Sequence, residues 1–142
     1  MKILLDTNFI LYCAKYKILS KLEETYPKIK FAILKDSIFE LEKIRDKKLK
    51  TKKEDSISAD IALQYLEIQN KKGNLEKIEI KKEKFKDVDT EIVEFLRERG
   101  LKESLMIGTH DKELSRKIDR INQRKRIVKI IRIRQKKYFI EL

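Results

Sequence analysis

Apolar residues recur along the chain as short unbroken runs and as helix-spaced stripes, and the two patterns alternate. Ile3, Leu4 and Leu5 form a run that ends abruptly in Asp6, Thr7 and Asn8, the pattern of a strand buried on both faces. A helix is expected to follow through Phe9, Ile10 and Tyr12, capped by Thr7 or Asn8. A second helical piece spans Ile18 to Tyr26 and stops at Pro27. Phe31 to Leu34 predicts the next strand, and Asp36 or Ser37 caps a helix that carries Ile38, Leu41 and Ile44 inward. Arg45 to Lys53 is a basic, exposed connection. Ile57, Ile61, Tyr65 and Ile68 mark a further helix ended by Gly73. Leu75 to Ile80 is a weak strand, followed by a polar link from Lys81 to Lys86. Asp89 opens a helix with Ile92, Phe95 and Leu96 inward, stopped at Gly100. Ser104 to Gly108 is a buried strand that ends in Thr109, His110 and Asp111. Asp111 begins a helix marked by Leu114, Ile118 and Ile121. Ile127 to Ile133 is the last clear strand, and Tyr138 to Ile140 adds an edge.

Strands alternating with helices predict an α/β fold. The expected architecture is three layers, α/β/α, around a central, mainly parallel sheet of about five strands. The 142 residues suggest one domain, 1–142, long enough to bury a core. With 42% charged and 41% hydrophobic residues, one Pro and three Gly, the chain reads as ordered. Cys13 is the only cysteine, which excludes an internal disulfide; its expected role is a small buried apolar residue. No apolar run approaches the roughly 20 residues of a membrane span, and no signal-peptide pattern appears. The expectation is a cytoplasmic protein with no membrane partner.

A formal charge of +12 points to a polyanionic partner, RNA or DNA. The same charge also suits the solvated, Lys- and Glu-rich surface of proteins from hot environments.

The acids narrow the choice. In an open parallel sheet, ligands bind at the carboxyl ends of the strands. Asp6 and Asp111 directly follow strands, and Glu40 and Asp89 fall in the expected first turns of helices approaching the same edge. Four carboxylates from four stretches can thus converge. Such acids repel unless a cation lies between them. Hard oxygen ligands select Mg²⁺ or Mn²⁺, and no Cys/His spacing supports zinc. Metals of this kind assist phosphodiester hydrolysis.

At these residues the chain resembles the PIN-domain ribonucleases. Ile3-Leu4-Leu5-Asp6-Thr7-Asn8 is similar to the family's opening motif, with Asp6 as its first acid. Ser37-Ile38-Phe39-Glu40-Leu41-Glu42 resembles the second, with Glu40 as the acid. Asp89-Thr90-Glu91-Ile92-Val93 resembles the third through Asp89. Thr109-His110-Asp111-Lys112-Glu113-Leu114 resembles the fourth through Asp111. The four motifs stand in order over nearly the whole chain. The family often has a second Asp after the third acid; here Thr90 takes that place, which removes one ligand for a second metal.

The resemblance implies a PIN-like fold and a metal-dependent endoribonuclease. Asp6, Glu40, Asp89 and Asp111 would hold one or two Mg²⁺ or Mn²⁺ ions. Thr7, Asn8 and Thr109 would orient carboxylates or contact phosphate. Lys47, Lys48, Lys50, Lys52, Lys53, Arg132, Arg134, Lys136 and Lys137 would guide RNA. Within the family, Glu-Leu-Glu-Lys-Ile and the C-terminal Ile-Arg-Ile-Arg-Gln-Lys-Lys resemble archaeal single-domain members related to ribosome-biogenesis nucleases, and VapC-type toxins share the four acids. The implied partners are therefore RNA, a second copy in a homodimer, and an antitoxin or a ribosome-assembly protein. His110 is read as an exposed turn residue with phosphate or water contact as its alternative. Glu42, Asp87, Glu91 and Glu94 are read as surface charge. No aromatic platform for base stacking is evident in the sequence. Two other readings compete: a non-catalytic RNA-binding module on the same fold, and a receiver- or phosphatase-like domain, which would cluster its acids after the first strand.

Overall fold

The computed structural model describes residues 1–47, 52–79, 88–100, 102–123 and 128–141. In chain order the elements are β1 (Lys2–Leu5), α1 (Thr7–Lys15), α2 (Leu19–Thr25), β2 (Lys30–Leu34), α3 (Lys35–Arg45), α4 (Lys53–Lys71), β3 (Leu75–Ile78), α5 (Val88–Gly100), β4 (Leu105–Gly108), α6 (Lys112–Ile121), β5 (Val128–Arg134) and β6 (Tyr138–Glu141). The strands form one sheet in the order β3-β2-β1-β4-β5-β6. Every pairing is parallel except β5 with β6. The fold is α/β, and the edge strand suggested by Tyr138 to Ile140 joins the sheet through a hairpin.

Alternation along the strands builds two cores, because successive side chains point to opposite faces. Ile3, Leu5, Phe31, Ile33, Met106 and Ile131 face one side, where helices α1 to α4 bring Phe9, Leu22, Leu41 and Ala62 against them. Leu4, Ala32, Leu34, Ile107 and Ile130 face the other, covered by Ile92 and Leu96 of α5 and by Leu114 and Ile118 of α6. A central strand covered on both faces must be apolar throughout, which is why Ile3-Leu4-Leu5 and Leu105-Met106-Ile107-Gly108 are unbroken runs.

Helix α4 departs from the expected pattern. Ile57, Ile61 and Ile68 are 54%, 41% and 50% exposed, while Ser56, Ser58, Ala59, Ala62 and Leu66 are buried. Small residues let α4 lie close against α1 and α3. Their hydroxyls are satisfied locally, Ser56 Oγ donating to the Arg45 carbonyl at 2.7 Å and Ser58 Oγ to the Glu54 carbonyl at 2.9 Å. Gly73, at φ 74°, ends this helix as expected. Among the described residues, no helix is long and apolar enough to cross a membrane.

Candidate functional site

The site grows out of the pairing between β1 and β4. Leu5 and Gly108 are register partners, so the chain leaves both strands at the same level. Asp6 and Thr109 are therefore neighbours, with the Asp6 amide donating to the Gly108 carbonyl at 3.1 Å. Asp6 itself caps α1: its Oδ1 accepts from the Thr7 amide at 3.0 Å. This corrects the expected cap at Thr7 or Asn8. Register with β4 holds the chain extended only through Asp6, so the helix begins at Thr7, earlier than a Thr7 or Asn8 cap would start it, burying Thr7 and leaving Asn8 exposed.

The second Asp6 oxygen, Oδ2, accepts from Thr109 Oγ1 at 2.9 Å. Thr109 is fully buried, and its hydroxyl in turn accepts from the Asp111 amide at 3.1 Å. Asp111 caps α6 as expected, its Oδ1 accepting from the amides of Glu113 at 2.9 Å and Leu114 at 3.1 Å. One hydroxyl thus ties the first acid to the loop that carries the fourth.

Burial pushes the Asp6 carboxyl above its ordinary range. Hydrogen bonds from Thr109 and Thr7 oppose this, and the negative charges of Asp111 and Glu40 reinforce it. Glu40 therefore lies within electrostatic reach of Asp6, although it sits differently from expectation. β2 runs into α3 without a loop, so the helix starts at Lys35, after Leu34 and with no side-chain cap. Glu40 is exposed in the second turn rather than the first, and Asp36 lies inside the helix. Asp89 is the second residue of α5, the helix that returns the chain from β3 to β4; its side chain lies outside the described residues.

Three of the four acids thus share one neighbourhood. Among the described residues, no group of three or more His, Cys, Asp or Glu is drawn close enough to hold a metal ion. The donors present are carboxylate oxygens, the chemistry that suits Mg²⁺ or Mn²⁺. Mg²⁺ commonly takes only one or two carboxylates beside waters and substrate phosphate. Of the described acids, Asp6 and Asp111 are the two that would offer carboxylates to such an ion.

Of the basic residues, Lys47, Lys52, Lys53, Arg134, Lys136 and Lys137 are exposed. Lys53 begins α4 rather than ending the basic connection. Lys48 and Lys50 lie outside the described residues. Arg132 is half-buried: its Nη2 donates to Ser115 Oγ at 2.9 Å, and that hydroxyl donates to the Asp111 carbonyl at 2.8 Å. Its Nε is buried with no hydrogen-bond partner among the described residues. Arg132 is thereby held against the first turn of α6, beside Asp111.

His110 is not an exposed turn residue. Its ring stacks on Phe9 with centroids 5.8 Å apart and meets Tyr12 at 4.9 Å, and its Nε2 is buried without a hydrogen-bond partner among the described residues. Burial, and then the positive charge of Arg132, hold the imidazole below its ordinary pKa. Tyr12 continues to Tyr16 at 4.4 Å. An aromatic row is present after all; its legible half was the spacing of four between Tyr12 and Tyr16, and the contribution of His110 needed the fold. Among the other acids, Glu94 pairs with Arg97 at 2.9 Å. Glu42 lines a groove of about 470 Å³ between α3 and α4 that none of Asp6, Glu40 and Asp111 lines. Asp87 and the side chain of Glu91 lie outside the described residues. No protein-family model matches this chain, and no curated protein matches it.

Proposed function

We propose that the chain is a Mg²⁺- or Mn²⁺-dependent endoribonuclease that hydrolyses RNA phosphodiester bonds. One observation carries the reading: a half-buried carboxylate, Asp6, stands at the carboxyl edge of a parallel sheet in the fields of two further acids, Asp111 and Glu40. Gathering anions costs stability and gives a site whose natural complement is a divalent cation. Bound there, the cation supplies an activated water and neutralises charge on the phosphoryl oxygens.

The chain's own residues prepare that site. Thr109 and the Thr7 amide each hold one oxygen of Asp6, fixing its rotamer. The Thr109 hydroxyl also sets the position of Asp111 through its amide. Arg132, held by Ser115, places a cation beside Asp111, where an anionic phosphate would arrive. The +12 charge favours RNA approach from a distance. Two settings fit the resemblance, ribosomal-RNA processing and a VapC-type toxin; a neighbouring antitoxin gene separates them.

The lack of a close three-acid group among the described residues favours a second reading, a non-catalytic RNA-binding module on the same fold. Incubation with single-stranded RNA and Mn²⁺ decides between them. Cleavage that is abolished by chelator and by Asp6→Asn is expected. RNA that is bound but left intact, or cleaved equally by Asp6→Asn, would establish the second reading.

A further inference from the structure

Helix α1 begins at the Asp6 cap and carries aromatic rings away from it. Tyr12 stands on this helix and Tyr16 caps its end one turn further on, with ring centroids 4.4 Å apart. On its other side Tyr12 meets His110, the residue immediately before Asp111, at 4.9 Å. His110 rests on the buried ring of Phe9. The result is a row of mutually tilted rings, His110–Tyr12–Tyr16, resting on Phe9 at one end, where His110 immediately precedes Asp111. All three rings are half-exposed. Rings that served only to fill the core would be buried.

Cations flank the far end of the row. Lys136 Nζ lies 4.8 Å from the Tyr16 centroid and Lys15 Nζ 5.8 Å from it. Lys15 also lies 3.8 Å from Glu54. Lys136 comes from the turn between β5 and β6, where Gln135 and Lys136 have φ of 54° and 57°. Hairpin turns with two left-handed central residues are normally made by Asn and Gly. Here the turn instead carries a long cationic side chain over the ring, at a cost in backbone strain.

We propose that His110, Tyr12 and Tyr16 are a stacking platform for the bases of single-stranded RNA, with Lys136 and Lys15 taking the flanking phosphates. Stacking needs bases that are not already paired, so a duplex would not fit it. The platform's place beside the scissile bond rests on the nuclease reading; its ability to bind does not.

The test is fluorescence anisotropy of a labelled single-stranded RNA oligomer, in chelator so that no cleavage occurs. Alanine at Tyr16 is expected to weaken binding about 5- to 150-fold, the range of a lost base–aromatic stack, and Tyr16→Phe to bind as the wild type. An abasic oligomer of the same length is expected to bind weakly, and equally to wild type and Tyr16→Ala. Lys136→Ala should weaken both ligands and reduce the slope of log K against log salt by about 0.7. Wild-type affinity in both Tyr12→Ala and Tyr16→Ala overturns the platform, as does wild-type protein that binds the abasic oligomer or a duplex as tightly as the single strand. If the alanine variants unfold, judged by circular dichroism, the abasic comparison on wild-type protein decides. RNA cleavage lost in Asp6→Asn together with unchanged binding by both Tyr12→Ala and Tyr16→Ala sinks the platform and keeps the nuclease. Binding that depends on Tyr16 without any metal-dependent cleavage does the reverse.

Discussion

Thr109 donates its hydroxyl proton to Asp6 across 103 residues of sequence, at 2.9 Å, while accepting from the Asp111 amide. Neither acid is placed by its own element alone; each depends on this one buried side chain.

Thr109→Val is isosteric and removes both hydrogen bonds. A half-buried carboxylate then loses a donor, which costs about 1–3 kcal/mol. Losing the donor raises the Asp6 pKa further, so the penalty applies to the ionised form. Urea denaturation should therefore show the loss at pH 7 and a smaller loss as pH falls and Asp6 protonates. Thr109→Ser should keep most of the stability. A Val variant as stable as wild type at every pH would remove Thr109 from the network.

Asp111 caps α6, and under the nuclease proposal it would also be a metal ligand. As the α6 cap it accepts from two amides, so Asp111→Ala should cost about 1 kcal/mol. Asn is an equally good cap, so Asp111→Asn should melt close to wild type. Both variants should lose metal-dependent cleavage, because both lose the charge. Cleavage retained by Asp111→Asn would show that Asp111 is a cap only.

The legible parts of this molecule were those decided by local pattern. The buried strands expected at Ile3–Leu5 and Ser104–Gly108 announced themselves as apolar runs, and Asp111 announced itself as the start of a helix. The inner face of α4 did not, because periodicity counts apolar residues while close helix packing selects small ones, here Ala59 and Ala62 over Ile57 and Ile61. The cap of α1 was also hidden. Whether Asp6, Thr7 or Asn8 takes it depends on the register of β1 with β4, a pairing between residues a hundred positions apart. The aromatic row needed the same long-range step, since Tyr12 and His110 belong to different ends of the chain.

Gly108 is tested by its neighbour. A Cβ at this position would overlap the Phe9 ring, which is fully buried and rests against His110. Gly108→Ala should cost about 1–3 kcal/mol through overpacking. Paired with Phe9→Leu, which opens space, it should cost less than the sum of the two single changes. Chemical denaturation of the four proteins measures this; strict additivity would mean that the two residues do not meet.

At the opposite edge of the sheet, Glu76 accepts from Arg99 Nη2 at 2.8 Å and pairs with Lys2. These cations, Arg99 first, lower its pKa from 4.5 to about 2. An acid with a depressed folded pKa stabilises above its unfolded value and loses that contribution as pH falls. Glu76 should thus support the fold above about pH 4.5, with the support fading toward pH 2. Its side chain is 34% exposed, so after solvent screening the contribution is about 1 kcal/mol. Glu76→Gln should melt lower than wild type at pH 7, and the gap should close with acid. A constant gap from pH 7 to pH 3 would mean that packing, not charge, is responsible.

Asp6 has the opposite sign. Its folded pKa is raised above 3.8, so its ionised form costs stability that is absent at low pH and present in full once pH exceeds the folded value. Without metal, Asp6→Asn should therefore melt at or above the wild-type temperature near neutral pH, and the difference should vanish in acid. Added Mn²⁺ reverses the order. Metal bound to the folded site alone stabilises by about 2.7 kcal/mol at a hundredfold excess over its dissociation constant, on the order of 10 °C for a chain of this size. Asp6→Asn lacks the central ligand and should show little of that shift. The wild-type shift should itself shrink as pH falls, since protons compete with metal for the carboxylates. Melting curves of both proteins with and without Mn²⁺, at two pH values, measure all of this. Equal metal-induced shifts in the two proteins would mean that Asp6 is not a ligand, and the nuclease proposal would lose its first acid.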